Sequence, residues 1–509
     1  MRDGFSVRLT HALLATLGVV FLLLACVSFA ASCRLDASDA LHYLYEYTVY
    51  RWDPLWLNAL VCAAAAALLY LLWPRLERAP CTHLLIGLLA LNAAFGAFWV
   101  LSVRALPAFD SLSMYDAAVR FASGETAPLQ GAEAYFRAYP FQLGYTALIE
   151  LCARLLGGGA LPFMQLLNVL SLCAAYAALF RLAGRLFEGR AVQALLILLL
   201  FGLAQPALLS TFVYGILPGL CLTLWAIERL IAYLQERRRA ALFAAAAWIT
   251  LAVLMKFNCL IAALAMAITL ALHALSQRKL RALFAAAAML LLPLLAQGGV
   301  TALYEARAGT DLGPGMPQTA WLAMGLSQGE GRSAGWHTAS WLDAFYASGC
   351  DAQATEALAL DSIKNSLWRF SKNPGRGLLF FGDKLLSQWT EPTFESVWVS
   401  EVREHEGARP AWVRAVYGGA PGEALTAFMN AFQSLIYFFS AVGFWALRKR
   451  GGLSHLPLAL TVFGGGLYHT LFEAKSMYIL PYYVMLFPYA AYGACRLLAW
   501  AHRRLPARS

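Results

Sequence analysis

The chain has 509 residues, of which 60% are hydrophobic and only 13% charged. An ordinary soluble domain is about a quarter charged, so a soluble catalytic or regulatory domain is excluded for most of the length. The net charge of +10 suggests nucleic acid at first sight. The Arg and Lys residues, however, fall mostly in short loops between apolar runs, where they orient a membrane protein, and no nucleic-acid partner is expected.

The chain opens with a basic stretch and an apolar run, "MRDGFSVRLTHALLATLGVVFLLLACVSFAASC". A signal peptide is the rival reading, and "LLAC" ending at Cys26 resembles a lipoprotein cleavage box. The apolar run continues to Ala31, long enough to span a bilayer, so an uncleaved first helix over 11–31 is expected. Further apolar segments follow at 56–73, 83–103, 162–183, 191–208, 215–234, 239–255, 258–275, 281–300, 425–447, 455–471 and 478–499. The fold class predicted is therefore an all-α polytopic membrane protein with about twelve transmembrane helices.

The connecting loops alternate in charge. One set carries Arg2/Arg8, Arg75/Arg78, Arg185/Arg190, Arg237/Arg238/Arg239, Arg278/Lys279/Arg281, Arg448/Lys449/Arg450 and Arg503/Arg504/Arg508. The positive-inside rule assigns that set, and both termini, to the cytoplasm, and puts residues 33–55, 104–161 and 301–424 outside. The segment 141–157 is apolar but short and carries Glu150 and Arg154 at i,i+4. It is read as a helix at the outer interface, because a span there would reverse every later loop. The 301–424 segment is too long for a structureless loop and is expected to form short helices over the mouth of the bundle.

The ten cysteines show no CxxC and no metal-ligand spacing. Cys62, Cys173, Cys221 and Cys495 lie in apolar runs, where cysteine acts as a small hydrophobe. Cys33 and Cys350 both fall in segments expected outside, which leaves a disulfide between them open. No GxxxxGK[ST] loop is present, so nucleotide does not read as a fuel.

The most informative stretch is "ALPAFDSLSMYDAAVRFASGE", residues 105–125, directly after the third apolar run. Leu112, Tyr115, Val119 and Ala122 keep helical spacing and Gly124 is a natural stop, so a short helix beginning at Asp110 is predicted. Taken alone, Asp110 reads as an N-cap. Asp116 lies about 240° around the helix from Asp110, so the two are not a glycosidase-style pair. Arg120, four residues on, would pair with Asp116.

The order of features around this stretch resembles the C-type glycosyltransferase superfamily (GT-C) of multi-span enzymes, of the polyprenyl-phosphate-dependent bacterial mannosyltransferase type. After a span come "FDSLSMYDAA", a loop with "AYFRAYPFQLGY", an interfacial helix and then successive spans. In that family an acidic residue follows a span in the first external loop, and Asp110 stands at that position. Tyr139–Pro140 matches the turn before the second juxtamembrane helix. "HTLFEAKSMYILPYY", with Glu473, Lys475, Tyr478 and Pro481, resembles a charged external turn between late spans. The resemblance covers about residues 83–500. It divides the chain into two additional helices (1–82), a core with its first external loop (83–300, loop 104–161), a large external region (301–424) and C-terminal helices (425–509). Many relatives have two adjacent acidic residues at the first motif, whereas Asp110 is followed by Ser111. Use of a divalent cation is therefore left open, with no metal ligand assigned.

The resemblance implies a sugar donor on a polyprenyl phosphate, a lipid or cell-envelope acceptor, and an active site on the outer face of the cell membrane. Such chemistry needs a carboxylate to take the acceptor proton, the role implied for Asp110. It also needs cations for the phosphate, for which Arg137, Lys256 and Lys475 are the candidates. Each has a plainer reading: a solvated loop residue, a lysine snorkelling to the interface, and a partner for Glu473. Trp336, His337, Gln388 and Trp389 are candidate sugar contacts, though Trp equally anchors loops at the interface. Tyr139, Glu473 and Tyr478 complete the expected substrate-binding set. The alternative function is a polytopic transporter or lipid-carrier flippase, against which stand the few mid-span charges and the absence of two similar halves.

Overall fold

The computed structural model describes residues 3–131, 134–278 and 283–504. Arg2, Lys279, Arg281 and Arg508, four of the cations used to orient the chain, lie outside the described residues. The protein is an all-α membrane protein apart from one small hairpin. Long apolar runs with few charges satisfy their backbone groups internally only as helices, which is the condition for residing in lipid.

Among the described residues, eight helices are long and apolar enough to cross a membrane, or ten if each of two bent pairs is one span. The expected twelve exceeds this because Arg239–Met255 has 17 residues and Leu456–Leu471 has 16. At 1.5 Å per residue, each falls short of a hydrocarbon layer about 30 Å thick. The bent pairs are Arg190–Phe201 with Gln205–Thr211, at 48°, and Ser476–Met485 with Phe487–Arg504, at 50°. Pro206 and Pro488 lie at the second member of each pair, where a missing N–H interrupts the helical ladder.

The expected interfacial segment forms Leu143–Leu156, which turns at Gly157 (φ +54°) into Ala160–Leu186. The turn needs a left-handed residue, and glycine supplies it without a Cβ penalty. Glu150 is buried on this helix and is bound by Arg154 at 2.7 Å and by Arg307 at 3.0 Å. The i,i+4 pair expected from the sequence is therefore present, with a second arginine from Leu283–Ala308.

The hairpin, Ala31–Leu35 paired antiparallel with Thr48–Trp52, was not foreseen. It follows the first helix, Asp3–Ala30, and is fastened to distant parts of the chain. The Cys33 N–H donates to the Thr390 carbonyl at 3.1 Å, and Asn430 donates to Asp53 at 3.0 Å. The first helix itself packs along Ala420–Leu447. Phe21 lies between Trp389, Tyr437 and Phe444, so the N-terminal helix is part of the core. No disulfide is formed among the described residues, and Cys33 is buried as a thiol.

Segment 301–424 is helical in part: beside short helices such as Gln318–Gly325, of 8 residues, it holds Pro374–Trp389, of 16, and Ala352–Lys372, of 21 and longer than expected. Lys384 is buried in the last of these and donates to the Gly325 carbonyl at 2.5 Å and the Phe472 carbonyl at 2.6 Å. One ammonium group thus ties this region to the turn before Ser476–Met485.

Candidate functional site

A cavity of about 470 Å³ lies where the hairpin, the segment after Val103, the turns at Tyr214 and Lys256, the 318–342 region and the turn at Glu473 converge. Its wall is aromatic, including Phe109, Tyr139, Phe141, Trp321, Trp398 and Tyr478. Its charged and ionisable lining is Asp110, Glu46, Glu473, Lys256, Lys475, Arg332, Arg403, His337 and His469.

Asp110 opens the helix Asp110–Ala122 as predicted, but it is not the cap. Phe109 occupies that position, and no side chain caps the helix. The Asp110 carboxylate is instead turned to Tyr214, whose hydroxyl donates to it at 2.7 Å. Phe109 has φ +53°, a sparsely allowed conformation for a side chain of its size, and its ring stacks on Trp398 with centroids 6.0 Å apart. Glu46 and Glu395 also have positive φ, at 59° and 56°. Three non-glycine residues at or beside the cavity thus carry backbone strain, which persists only where packing over-determines it.

Lys256 interrupts the apolar run between Arg239–Met255 and Phe257–Ser276 with an extended backbone. Its Nζ lies 3.3 Å from the centre of the Tyr214 ring and 5.7 Å from that of Tyr478. The proximity depends on Gly215, which has φ +79° and lies against the Met255 carbonyl so closely that a Cβ would overlap it. Tyr214 therefore bonds Asp110 through its hydroxyl and faces Lys256 with its ring.

The turn at Glu473 is held by an isolated parallel bridge between Trp336 and Ala474. His337 Nδ1 lies 3.4 Å from Glu473 Oε1. Burial favours neutral His337, but the hydrogen bond and charge of Glu473 outweigh it and raise the imidazole above its ordinary range. Burial pushes Glu473 up, yet His337 and Lys475 bring its carboxyl below the ordinary range. Lys475 forms an ion pair with Glu46 from the hairpin and lies 3.8 Å from Glu395.

Of the residues singled out in the sequence, the structure gathers Asp110, Tyr139, Lys256, His337, Glu473, Lys475 and Tyr478 around one cavity. Four are not in its lining. Trp336 is fully buried and donates to Ser387 at 2.9 Å, so it supports the Glu473 turn and is closed to a sugar. Gln388 is buried and donates to the Lys384 and His469 carbonyls. Trp389 packs in the core against Phe21. Arg137 sits on Tyr135–Ala138, outside the lining. Asp116 is exposed, and Arg120 pairs with Glu125 at 2.9 Å rather than with Asp116.

No family model matches the chain, and no match is found among curated proteins or solved structures.

The sequence reading missed Tyr214, Glu46, Arg403 and Trp321. Only Tyr214 carried a local signal, being followed by a glycine in an otherwise apolar run. Arg403 is 2% exposed and donates to the Thr211 carbonyl at 3.2 Å and the Thr211 hydroxyl at 2.9 Å. Among the described residues, no group of three or more His, Cys, Asp and Glu side chains is arranged to hold a metal ion. Asp110 is bonded by Tyr214, while Glu473 and Glu46 are engaged by His337 and Lys475. The donors present do not fit a divalent cation.

Proposed function

We propose that the protein is an integral membrane glycosyltransferase that moves a sugar from a polyprenyl-phosphate carrier to an acceptor hydroxyl at the outer face of the cell membrane. The observation that carries this reading is the convergence of one carboxylate and one ammonium on the same tyrosine, in an aromatic cavity beside apolar helices. Asp110 is the base and takes the acceptor proton. The acceptor oxygen forms its bond to the anomeric carbon as the bond from that carbon to the phosphate oxygen breaks. The electron pair leaves with the polyprenyl phosphate, whose charge Lys256 balances. A single displacement of this kind inverts the anomeric configuration. Tyr139, Trp321 and Tyr478 offer aromatic faces for the sugar.

A membrane transporter of the lipid-linked sugar is the second reading, favoured by the two bent helix pairs, since transporters bind substrate at broken helices. Purified protein incubated with a radiolabelled polyprenyl-phosphate sugar and membrane lipids separates the two. Covalent transfer of label that Asp110→Asn abolishes supports the enzyme. Counterflow of the carrier across proteoliposomes without covalent transfer supports the transporter.

A further inference from the structure

A second charged site lies in the far half of the helix that begins beside Tyr214. Ile216–Glu236 runs from the cavity to Glu228, about 18 Å along the axis at 1.5 Å per residue. Glu228 is fully buried, and three guanidinium groups converge on its carboxylate. Arg181 approaches at 3.1 Å, Arg185 at 2.7 Å, and the neighbouring Arg229 forms a third contact. Arg185 also reaches Glu236 at 2.8 Å, and Arg238 lies 3.5 Å from the same residue.

Four guanidinium groups in these ion pairs therefore share two carboxylates, which leaves two positive charges uncompensated within the cluster. Of the three arginines on Glu228, Arg181 is the most accessible, with 47% of its side chain exposed against 19% for Arg185 and 26% for Arg229. Its guanidinium lies 5.7 Å from the centre of the Trp225 ring, and the Trp225 indole N–H donates to the Ala174 carbonyl at 3.2 Å. A buried carboxylate thus holds the arginines in place, and an indole stands beside the exposed fork. A guanidinium matches a phosphodiester in shape and charge, and the Trp225 ring, about 16 Å along the helix from Glu236, lies at the depth of the acyl chains.

We propose that Arg181, Arg229 and Trp225 form a binding site for the headgroup of an anionic membrane phospholipid, such as phosphatidylglycerol. The phosphodiester supplies the missing negative charge while the acyl chains lie along Ala160–Leu186 and Ile216–Glu236. This site is separate from the cavity and does not depend on the function proposed for it.

The test is native mass spectrometry of the full-length protein released from nanodiscs of mixed phosphatidylglycerol and phosphatidylcholine. Wild type is expected to retain phosphatidylglycerol in preference, and Arg181→Gln to reduce that preference about tenfold. Arg448→Gln serves as a control, because Arg448 also covers a tryptophan, Trp445, yet forms no ion pair with a buried carboxylate among the described residues. It is expected to leave the preference unchanged. If Arg181→Gln does not fold, Arg181→Lys replaces it; this keeps the charge and removes the planar fork, so a weakened preference supports the site. No preference in wild type, undiminished preference in the Arg181 variant, or an equal loss in Arg448→Gln overturns the proposal. Displacement of the lipid by inorganic phosphate alone also overturns it, by showing a site for soluble anions.

Discussion

Tyr214 donates a 2.7 Å hydrogen bond to Asp110 from a turn about a hundred residues further along the chain. The same ring carries the Lys256 ammonium on its face. A carboxylate and a cation are thereby held at fixed separation by one side chain, whose own position rests on Gly215. Removing the hydroxyl, the ring or the glycine disturbs different parts of this arrangement.

Asp110→Asn is expected to lower glycosyl transfer by about 10²–10⁴-fold while leaving the fold intact. The reason for an intact fold differs from that expected of an N-cap. Asp110 makes no cap bond, so its replacement weakens only the contact with Tyr214. Asp116→Asn, on the exposed face of the same helix, should leave transfer unchanged. Turnover of purified variants, normalised to monodisperse protein, checks both. Full activity of Asp110→Asn sinks the assignment of the base.

Lys256 and Lys475 looked equivalent in the sequence and are predicted to behave differently. Lys256 has no carboxylate in an ion pair among the described residues, whereas Lys475 is paired with Glu46 and neighbours Glu395. Lys256→Gln should raise the apparent KM for the carrier about tenfold to a hundredfold, the loss of a charged hydrogen bond. Lys475→Gln should instead destabilise the protein by about 3–5 kcal/mol, because it leaves buried carboxylates without their partner. Carrier-concentration kinetics and thermal unfolding in detergent distinguish these. An unchanged unfolding midpoint for Lys475→Gln together with a raised KM would return Lys475 to the anion site.

The helical segments were legible because hydrophobicity over 16–28 residues is a strong and local signal. The helix at Asp110 was legible for the same reason, through its apolar spacing. The hairpin was not, since five-residue strands in a polar loop have no comparable signal, and with it went Glu46. Trp336, Gln388 and Trp389 show the opposite error. An aromatic and polar composition suits a sugar surface and a packed interior equally, and only burial separates them. Lys475 fell between these cases: its place in the cavity was legible, but its partners came from Glu46 and Glu395, which no spacing in the sequence connects.

Topology can be tested on residues that the structure leaves exposed. Ser123 and Glu330 lie in two of the three segments expected outside, and both are exposed. Cysteines placed at these positions, in a background without reactive native thiols, should label with a membrane-impermeant maleimide in intact cells. Labelling of both only after the membrane is opened would reverse the orientation and move the cavity to the cytoplasmic side.

The His337–Glu473 pair makes stability depend on pH in a definite direction. Despite burial, Glu473 raises the His337 imidazole above its ordinary value of 6.5. A raised imidazole contributes stability that is fully present below about pH 6.5 and is lost as pH climbs through the folded value. The Glu473 carboxyl lies below its ordinary 4.5, despite burial, because His337 and Lys475 favour its charged form. Its contribution is present above about pH 4.5 and is lost only as pH falls through the lower, folded value. The pair therefore stabilises most between about pH 4.5 and 6.5. Glu395 adds to the alkaline decline: burial raises it, Lys475 opposes, and Glu46 and Glu391 add to the rise, so folding weakens as pH climbs towards its raised value. His337→Asn should remove one part of the alkaline decline and Glu395→Gln the other. The measurement is the unfolding midpoint of each variant and of the pair of substitutions combined, in one detergent, from about pH 5 to about pH 9. The combined variant should decline less steeply than wild type above about pH 6.5. A decline as steep as that of wild type would mean that neither the imidazole nor the Glu395 carboxyl governs the stability of the cavity wall.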